Sequence, residues 1–273
     1  MRLVKGVLER CLEVLELLAA DARWTRLSDI AARLDLAKGP THRLLEQLCE
    51  LGWAEQDAAT DRYRLTLKLS LLGEQYLHGT GLPGLVQPIL DEVAAKCREL
   101  VRLTAVHRQG LAWLASSQGA APGLMYQPAM SGSIVLHTTA NGKVWLATMS
   151  DTDAVRLALG SGLGKAGRHG PRAVTTVDAL IKELNATRKR GYGLALEEAE
   201  PGVTAIAVAI RSGPRGPVVG TMSIAGPLLR VVPARYTEFH GLLRAAAGKL
   251  GMIWPREAAP VEERAWTASA SKA

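Results

Sequence analysis

The segment from Leu27 to Leu45 constrains this chain more than any other. Ile30, Ala31 and Leu34 repeat on one helical face, and Ser28 stands as the N-cap of that helix. A second helix opens at Gly39-Pro40, where the missing proline N–H has no intrahelical partner to lose. Leu44, Leu45, Leu48 and Leu51 form its apolar stripe, with His42, Arg43, Glu46 and Glu50 opposite. Two short helices joined by a tight turn, the second with polar groups on its outer face, have the form of a major-groove reader.

The flanks extend this reading. Val7, Leu8, Cys11, Leu12, Val14, Leu15 and Leu18 share one face of a further helix able to cover the pair. Trp53 to Gln56 and Arg62 to Leu65, separated by the turn 57–61, read as a hairpin with Tyr63 and Leu65 inward and Arg62 and Arg64 outward. Residues 1–66 are therefore expected to form a winged helix-turn-helix. Arg2, Lys5, Arg26, Lys38, Arg43, Arg62 and Arg64 fall in its arm, turn, reading helix and wing, where phosphates would be met. Ser28, Gly39, Thr41, His42 and Glu46 complete the expected DNA-contact set. The net charge of +7 does not carry this conclusion, because acidic and basic residues nearly balance before residue 75. Placement decides.

Beyond the wing, Thr66 caps a helix through Leu67, Leu71, Leu72 and Tyr76, and Gly79-Thr80-Gly81 ends it, making 67–83 a linker helix. Residues 84–253 mix helices with hairpins. Helices are expected from Leu85 through Cys97, Asp153 to Leu159, Val177 to Lys189 and Ala234 to Met252. Strands are expected over Arg102–Arg108, Leu111–Ser116, Gly202–Arg211 and Val218–Ala225, with a strand, a turn and a helix start in Gly132–Leu146. The fold class is α+β, and the tail 254–273 is expected to be poorly ordered.

Several function classes find no support. No run of about eighteen apolar residues is present and charges interrupt the N-terminus, so a cytoplasmic protein without a membrane span is expected. Cys11, Cys49 and Cys97 form neither a disulfide set nor a metal pair, and the histidines lack ligand spacing. Gly162 to Gly167 matches G-x-G-x-x-G without the strand–loop–helix context that would make it a phosphate cradle. Ser131 and Ser133 lie outside a nucleophile elbow. Neither metal, cofactor nor catalytic residue is expected. A metabolite-binding enzyme with an appended helical domain is the alternative class.

The run His137-Thr138-Thr139-Ala140-Asn141-Gly142-Lys143 enters a helix on small residues, leaving backbone N–H groups able to meet a carboxylate. An ordinary helix cap with Lys143 in solvent is the other reading. Leu124, Met125, Tyr126 and Met130 supply either an apolar wall or core packing.

Leu15-Glu16-Leu17-Leu18, Leu27 to Ala31, His42 to Leu45, Leu51-Gly52-Trp53 and Arg62 to Leu65 together resemble the winged helix of the isocitrate-lyase-regulator (IclR) family of bacterial transcription factors. Leu136 to Lys143, Arg190 to Gly193, Glu197-Glu198, Pro201 to Val203 and Ser223 to Pro227 are similar to that family's second half, in the same order. Gly39-Pro40 departs, since many relatives have Ser-Thr there. The resemblance implies a GAF-like effector-binding domain and a dimer, or dimer of dimers, on pseudo-palindromic double-stranded operator DNA. It further implies a small organic acid held by the N–H groups of Ala140 and Asn141; His137 and Thr139 belong to the same turn, and Met125 and Met130 precede it in the chain as candidate lining. Ala195, Ala205 and Ala225 map to positions that carry Asp, Cys and Ser in glyoxylate- and pyruvate-type sensors, while Ser223 and Glu197 remain as polar groups. An aromatic or medium-chain acid is therefore expected ahead of a small oxo-acid.

Overall fold

The computed structural model describes residues 6–21, 23–128, 134–165, 169–213 and 215–254. The chain divides into two compact units, Met1–Thr80 and Gly81–Ala273, so the boundary falls slightly before the expected one. Arg2, Lys5, Met130 and the tail beyond Trp254 lie outside the described residues.

The first unit runs α1 (Val7–Asp21), β1 (Thr25–Arg26), α2 (Leu27–Leu34), α3 (Lys38–Glu50), β2 (Ala54–Gln56), β3 (Arg62–Leu65) and α4 (Lys68–Gly79). Val14, Leu17 and Leu18 of α1 meet Ile30, Leu45, Leu48 and Tyr63 in one core. The strand β1 is absent from the sequence reading; it pairs with β3 and makes the wing a three-stranded sheet. That pairing holds Arg26 extended, so Arg26 rather than Ser28 is the N-cap of α2, and the Ser28 hydroxyl contacts Asp29 instead. Ala37 likewise precedes α3, which places Gly39 and Pro40 inside its first turn, where proline is tolerated.

Two apolar assignments are corrected. Val7, Leu8 and Leu12 are exposed, because α2 and the wing cover only the second half of α1. Leu51 is exposed as well, lying past the end of α3 where the chain turns through Gly52 at φ +72°. The Thr66 hydroxyl accepts the Lys68 N–H at 3.2 Å at the start of α4, and α4 buries none of its own residues.

The second unit runs α5 (Leu82–Cys97), β4 (Leu100–His107), β5 (Gly110–Gln118), α6 (Ala140–Leu146), α7 (Asp151–Gly160), α8 (Val177–Arg190), β6 (Gly193–Leu196), β7 (Val203–Arg211), β8 (Val218–Pro227) and α9 (Pro233–Ile253). The five strands form an antiparallel sheet in the order β5-β4-β8-β7-β6. Alternation sorts its two faces. Val101, Leu103, Ile206, Val208, Met222 and Ile224 point to one side, where Leu90 of α5 and Phe239 and Leu243 of α9 bury them. Trp254, expected to begin a loose tail, is 4% exposed and part of this core.

The opposite face carries α6, with α7 and α8 packed beyond it. Ser150 and Thr176 cap α7 and α8 through their side chains, and Gly191 ends α8 in the left-handed conformation. No strand occurs among the described residues 134–139, which turn tightly into α6. Leu163, inside the glycine-rich run, is a buried core residue.

Candidate DNA-reading and effector-binding surfaces

Burying Leu44, Leu45 and Leu48 turns the other face of α3 to solvent. His42, Arg43 and Glu46 are exposed there, with His42 Nδ1 3.2 Å from Glu46 Oε2. Arg43 and Lys38 form no ion pair among the described residues, so their cationic heads are available to another molecule. Arg26, Ser28 and Gly39 are also exposed. Thr41 is not: it is fully buried and donates its hydroxyl to the Ala37 carbonyl at 2.9 Å, which removes it from the expected contact set. On the wing, Arg62 is half-buried. Arg64 is exposed but held, with Nε 2.5 Å from Glu55 Oε1 and its guanidinium 4.3 Å from the Trp24 ring centre.

The second surface is the α6 side of the sheet. Strand register places Ala195, Ala205 and Ala225 side by side on β6, β7 and β8. The adjacent row on the same face is Gly193, Ala207, Ser223 and Arg102. Small side chains let α6 lie directly on this sheet, where Ala140 and Val144 pack against Ala195 and Ala207. Gly193 is required by that approach, since a Cβ there would overlap the Ala140 carbonyl oxygen. Asn141 Nδ2 bonds Thr221 Oγ1 at 2.8 Å, and Thr221 Oγ1 lies 2.6 Å from Thr104 Oγ1, pinning the helix to the strands. Thr139 caps Gly142 N–H at 3.1 Å.

Lys143 is not in solvent. It is 1% exposed, with Nζ 2.5 Å from Glu198 Oε1 and 3.0 Å from the Leu194 carbonyl. Burial raises the Glu198 carboxyl above the usual carboxylate range, against the lowering effect of Lys143. Glu197, at φ +51°, accepts the Gly202 N–H at 3.1 Å and faces Arg172, so its carboxylate serves the turn between β6 and β7. His137 is buried against His169, ring centres 5.5 Å apart, and desolvation first, then His169 and Lys143, bring its pKa down to about 4.

Above β4 and β8, the segment 119–128 carries the half-buried Met125 and Tyr126, whereas Leu124 is exposed and builds no wall. Arg230 binds the Leu124 carbonyl at 2.6 Å while clasping the buried Glu99, and Gln118 binds the Tyr126 carbonyl at 3.0 Å. Beneath this segment is a residue absent from the sequence reading. Arg102, 9% exposed, stacks 3.6 Å from the centre of the Trp113 ring, and burial lowers the pKa of its guanidinium. A charged residue within the apolar run Leu100 to Val106 is the signal that points to it.

A separate hollow of about 660 Å³ opens between α9, α6, α8 and β7, near Arg188, Arg211, His240 and Arg244. None of the expected effector residues lines it.

The comparisons with known proteins agree with this architecture. The family described as "Bacterial transcriptional regulator IclR C-terminal" matches residues 74–252, and the "IclR helix-turn-helix domain" matches residues 7–58. The chain belongs to the IclR family. It is 34% identical over 249 residues to the glycerol operon regulatory protein of Streptomyces griseus, covering 88% of this chain and 92% of that protein. An IclR regulator structure from Alicyclobacillus acidocaldarius superposes with a TM-score of 0.78 at 21% identity, covering 92% of this chain and 99% of that one. An IclR homologue from Microbacterium hydrocarbonoxydans, solved in complex with 4-hydroxybenzoate, gives 0.71 at 25% identity, covering 91% and 98%. This IclR-family chain is a DNA-binding transcriptional regulator with an effector-binding domain. No helix among the described residues is long and apolar enough to cross a membrane.

Proposed function

We propose that this regulator binds a pseudo-palindromic operator as a homodimer or dimer of dimers, and that an aromatic or medium-chain organic acid on the α6 face of the sheet switches that binding. The observation that carries the effector class is the row Ala195, Ala205 and Ala225. The methyl groups of Ala205 and Ala225, in register with Ala195 beneath α6, give an apolar floor and no hydrogen-bond partner for the oxygens of a small oxo-acid. Each such unmade bond costs about 1–3 kcal/mol. An acid with an apolar body buries that body there and keeps its carboxylate for a polar group nearby. The 4-hydroxybenzoate carried by the Microbacterium homologue belongs to the same chemical class.

The DNA half rests on the free Arg43 and Lys38 of α3 and on the wing. Assembly is supported by α4, which exposes Leu69, Leu71, Leu72 and Tyr76, and by the uncovered Val7, Leu8 and Leu12 of α1. A ligand with different affinity for two arrangements of the DNA-reading units shifts their populations and hence operator occupancy. Calorimetry with benzoate, octanoate and pyruvate, alongside operator retardation with and without each acid, tests the reading. Benzoate or octanoate should bind and change retardation; tight binding of pyruvate alone would overturn the effector class.

A further inference from the structure

We propose that Arg102 is the anchor for the effector's carboxylate, which makes the preferred ligand an aromatic monocarboxylate rather than its neutral or dicarboxylic analogues. The proposal rests on the reading that an organic acid occupies the α6 face. Its own support is a buried cation with no direct ion pair among the described residues and one unfilled donor, the Glu200 charge and the Tyr126 hydroxyl being its nearby partners. Arg102 is 9% exposed, its Nε finds no hydrogen-bond partner, and no carboxylate among the described residues lies within ion-pairing distance of it. Glu200, whose charge reaches Arg102, accepts a hydrogen bond from the Tyr126 hydroxyl at 2.9 Å instead of pairing with the guanidinium directly. A guanidinium out of water needs a partner, because the cost of desolvating it is offset only by a well-placed charge.

The geometry favours a planar anion. Trp113 covers one face of the guanidinium, and although the Tyr126 hydroxyl engages its edge, the in-plane Nε–H is left without a partner. A carboxylate meets such an edge with two parallel hydrogen bonds, which an ammonium group could not supply. Ser223 stands directly across from Arg102 in the strand register, and Ala225 and Ala205 continue the same face one row on. A carboxylate on Arg102 beside Ser223 therefore sets an aromatic ring over the alanine methyls, with Met125 and Tyr126 on the overlying segment. A second carboxylate on that ring would meet only methyl groups.

The test uses the full chain, with benzoate, 4-hydroxybenzoate, octanoate and neutral benzamide as probes. Binding is read by calorimetry and by the change in Trp113 emission, assigned with Trp113→Phe. The unaltered chain should bind an acid at least 100-fold more tightly than benzamide. Arg102→Gln should lose at least 100-fold for the acid while leaving benzamide unchanged, and Arg102→Lys should keep part of the affinity. Thermal melting and operator retardation report whether each variant is folded; if Arg102→Gln is not, Arg102→Lys and Ser223→Ala, each losing about tenfold for the acid alone, carry the test. Folded Arg102 variants that bind the acid as the unaltered chain does would overturn the anchor while leaving the effector class standing. Binding of none of these acids to the unaltered chain would overturn both.

Discussion

Lys143 and Glu198 form a buried ion pair at 2.5 Å that ties α6 to the turn after β6. Glu183 of α8 lies 3.5 Å from the same ammonium group and is itself paired with Arg190 at 2.6 Å, so three segments meet on one lysine. Breaking such a pair from one side leaves a charge buried without compensation. Lys143→Met should therefore destabilise the second unit by about 3–5 kcal/mol. Lys143→Met combined with Glu198→Leu should recover much of that loss in a denaturant titration. A single variant as stable as the unaltered chain would contradict this account.

On the DNA side, Arg43 and Arg64 should behave differently. Arg43 is free on the reading face of α3, so Arg43→Ala should weaken specific operator binding by about 1–3 kcal/mol through a lost base contact. Arg64 is held by Glu55 and Trp24 on the wing, a posture suited to a phosphate. Arg64→Ala should weaken all sequences alike and reduce the salt slope by about one. Retardation on operator and random DNA at several salt concentrations checks both.

Gly193 has a steric role in the effector domain alone. Gly193→Ala forces a methyl group into the Ala140 carbonyl and must lift α6 from the sheet. Overpacking of this kind costs about 1–3 kcal/mol. The variant should lose acid binding while the isolated melting of the DNA-reading unit and basal operator affinity stay unchanged.

His137 should make stability depend on acidity. Its folded-state pKa, about 4, lies below the ordinary 6.5, chiefly because burial disfavours the imidazolium. The unfolded chain therefore takes up the proton first as pH falls. The stability attached to neutral His137 is complete above about pH 6.5 and is lost progressively toward pH 4. The full effect is a little over ~3 kcal/mol, at about 1.4 kcal/mol per pH unit. His137→Gln should flatten this part of the melting-temperature profile relative to the unaltered chain between pH 4 and 7.

Much of the architecture was legible before any coordinates. The leucine spacing in α3, the alternation of Arg62 to Leu65 and the apolar runs of β7 and β8 are local patterns set by the 3.6- and 2-residue repeats of helix and strand. Short elements escaped: β1 has two residues, too few for a period to show, and β6 is Gly-Leu-Ala-Leu, with no polar position to alternate; both exist because β3 and β7 offer them hydrogen bonds. Caps were displaced for a related reason. Ser28 has the right chemistry for an N-cap, yet strand pairing holds Arg26 extended and starts the helix earlier.

The sequence by itself determined the two-part α+β plan, the polar face of the reading helix and the alanines at positions 195, 205 and 225, because each is written in neighbouring residues or in a single position. Only the tertiary structure decided which polar groups are spent and which are free. Thr41, Asn141, Lys143 and Glu197 each look available in the chain, but partners distant in sequence or a helical turn of backbone occupy them. Arg102 looks like a surface charge on a strand, yet folding places it under residues 119–128 and against Trp113, with its Nε left without a partner. Burial and pairing arise from segments far apart in the chain, and no local periodicity encodes them.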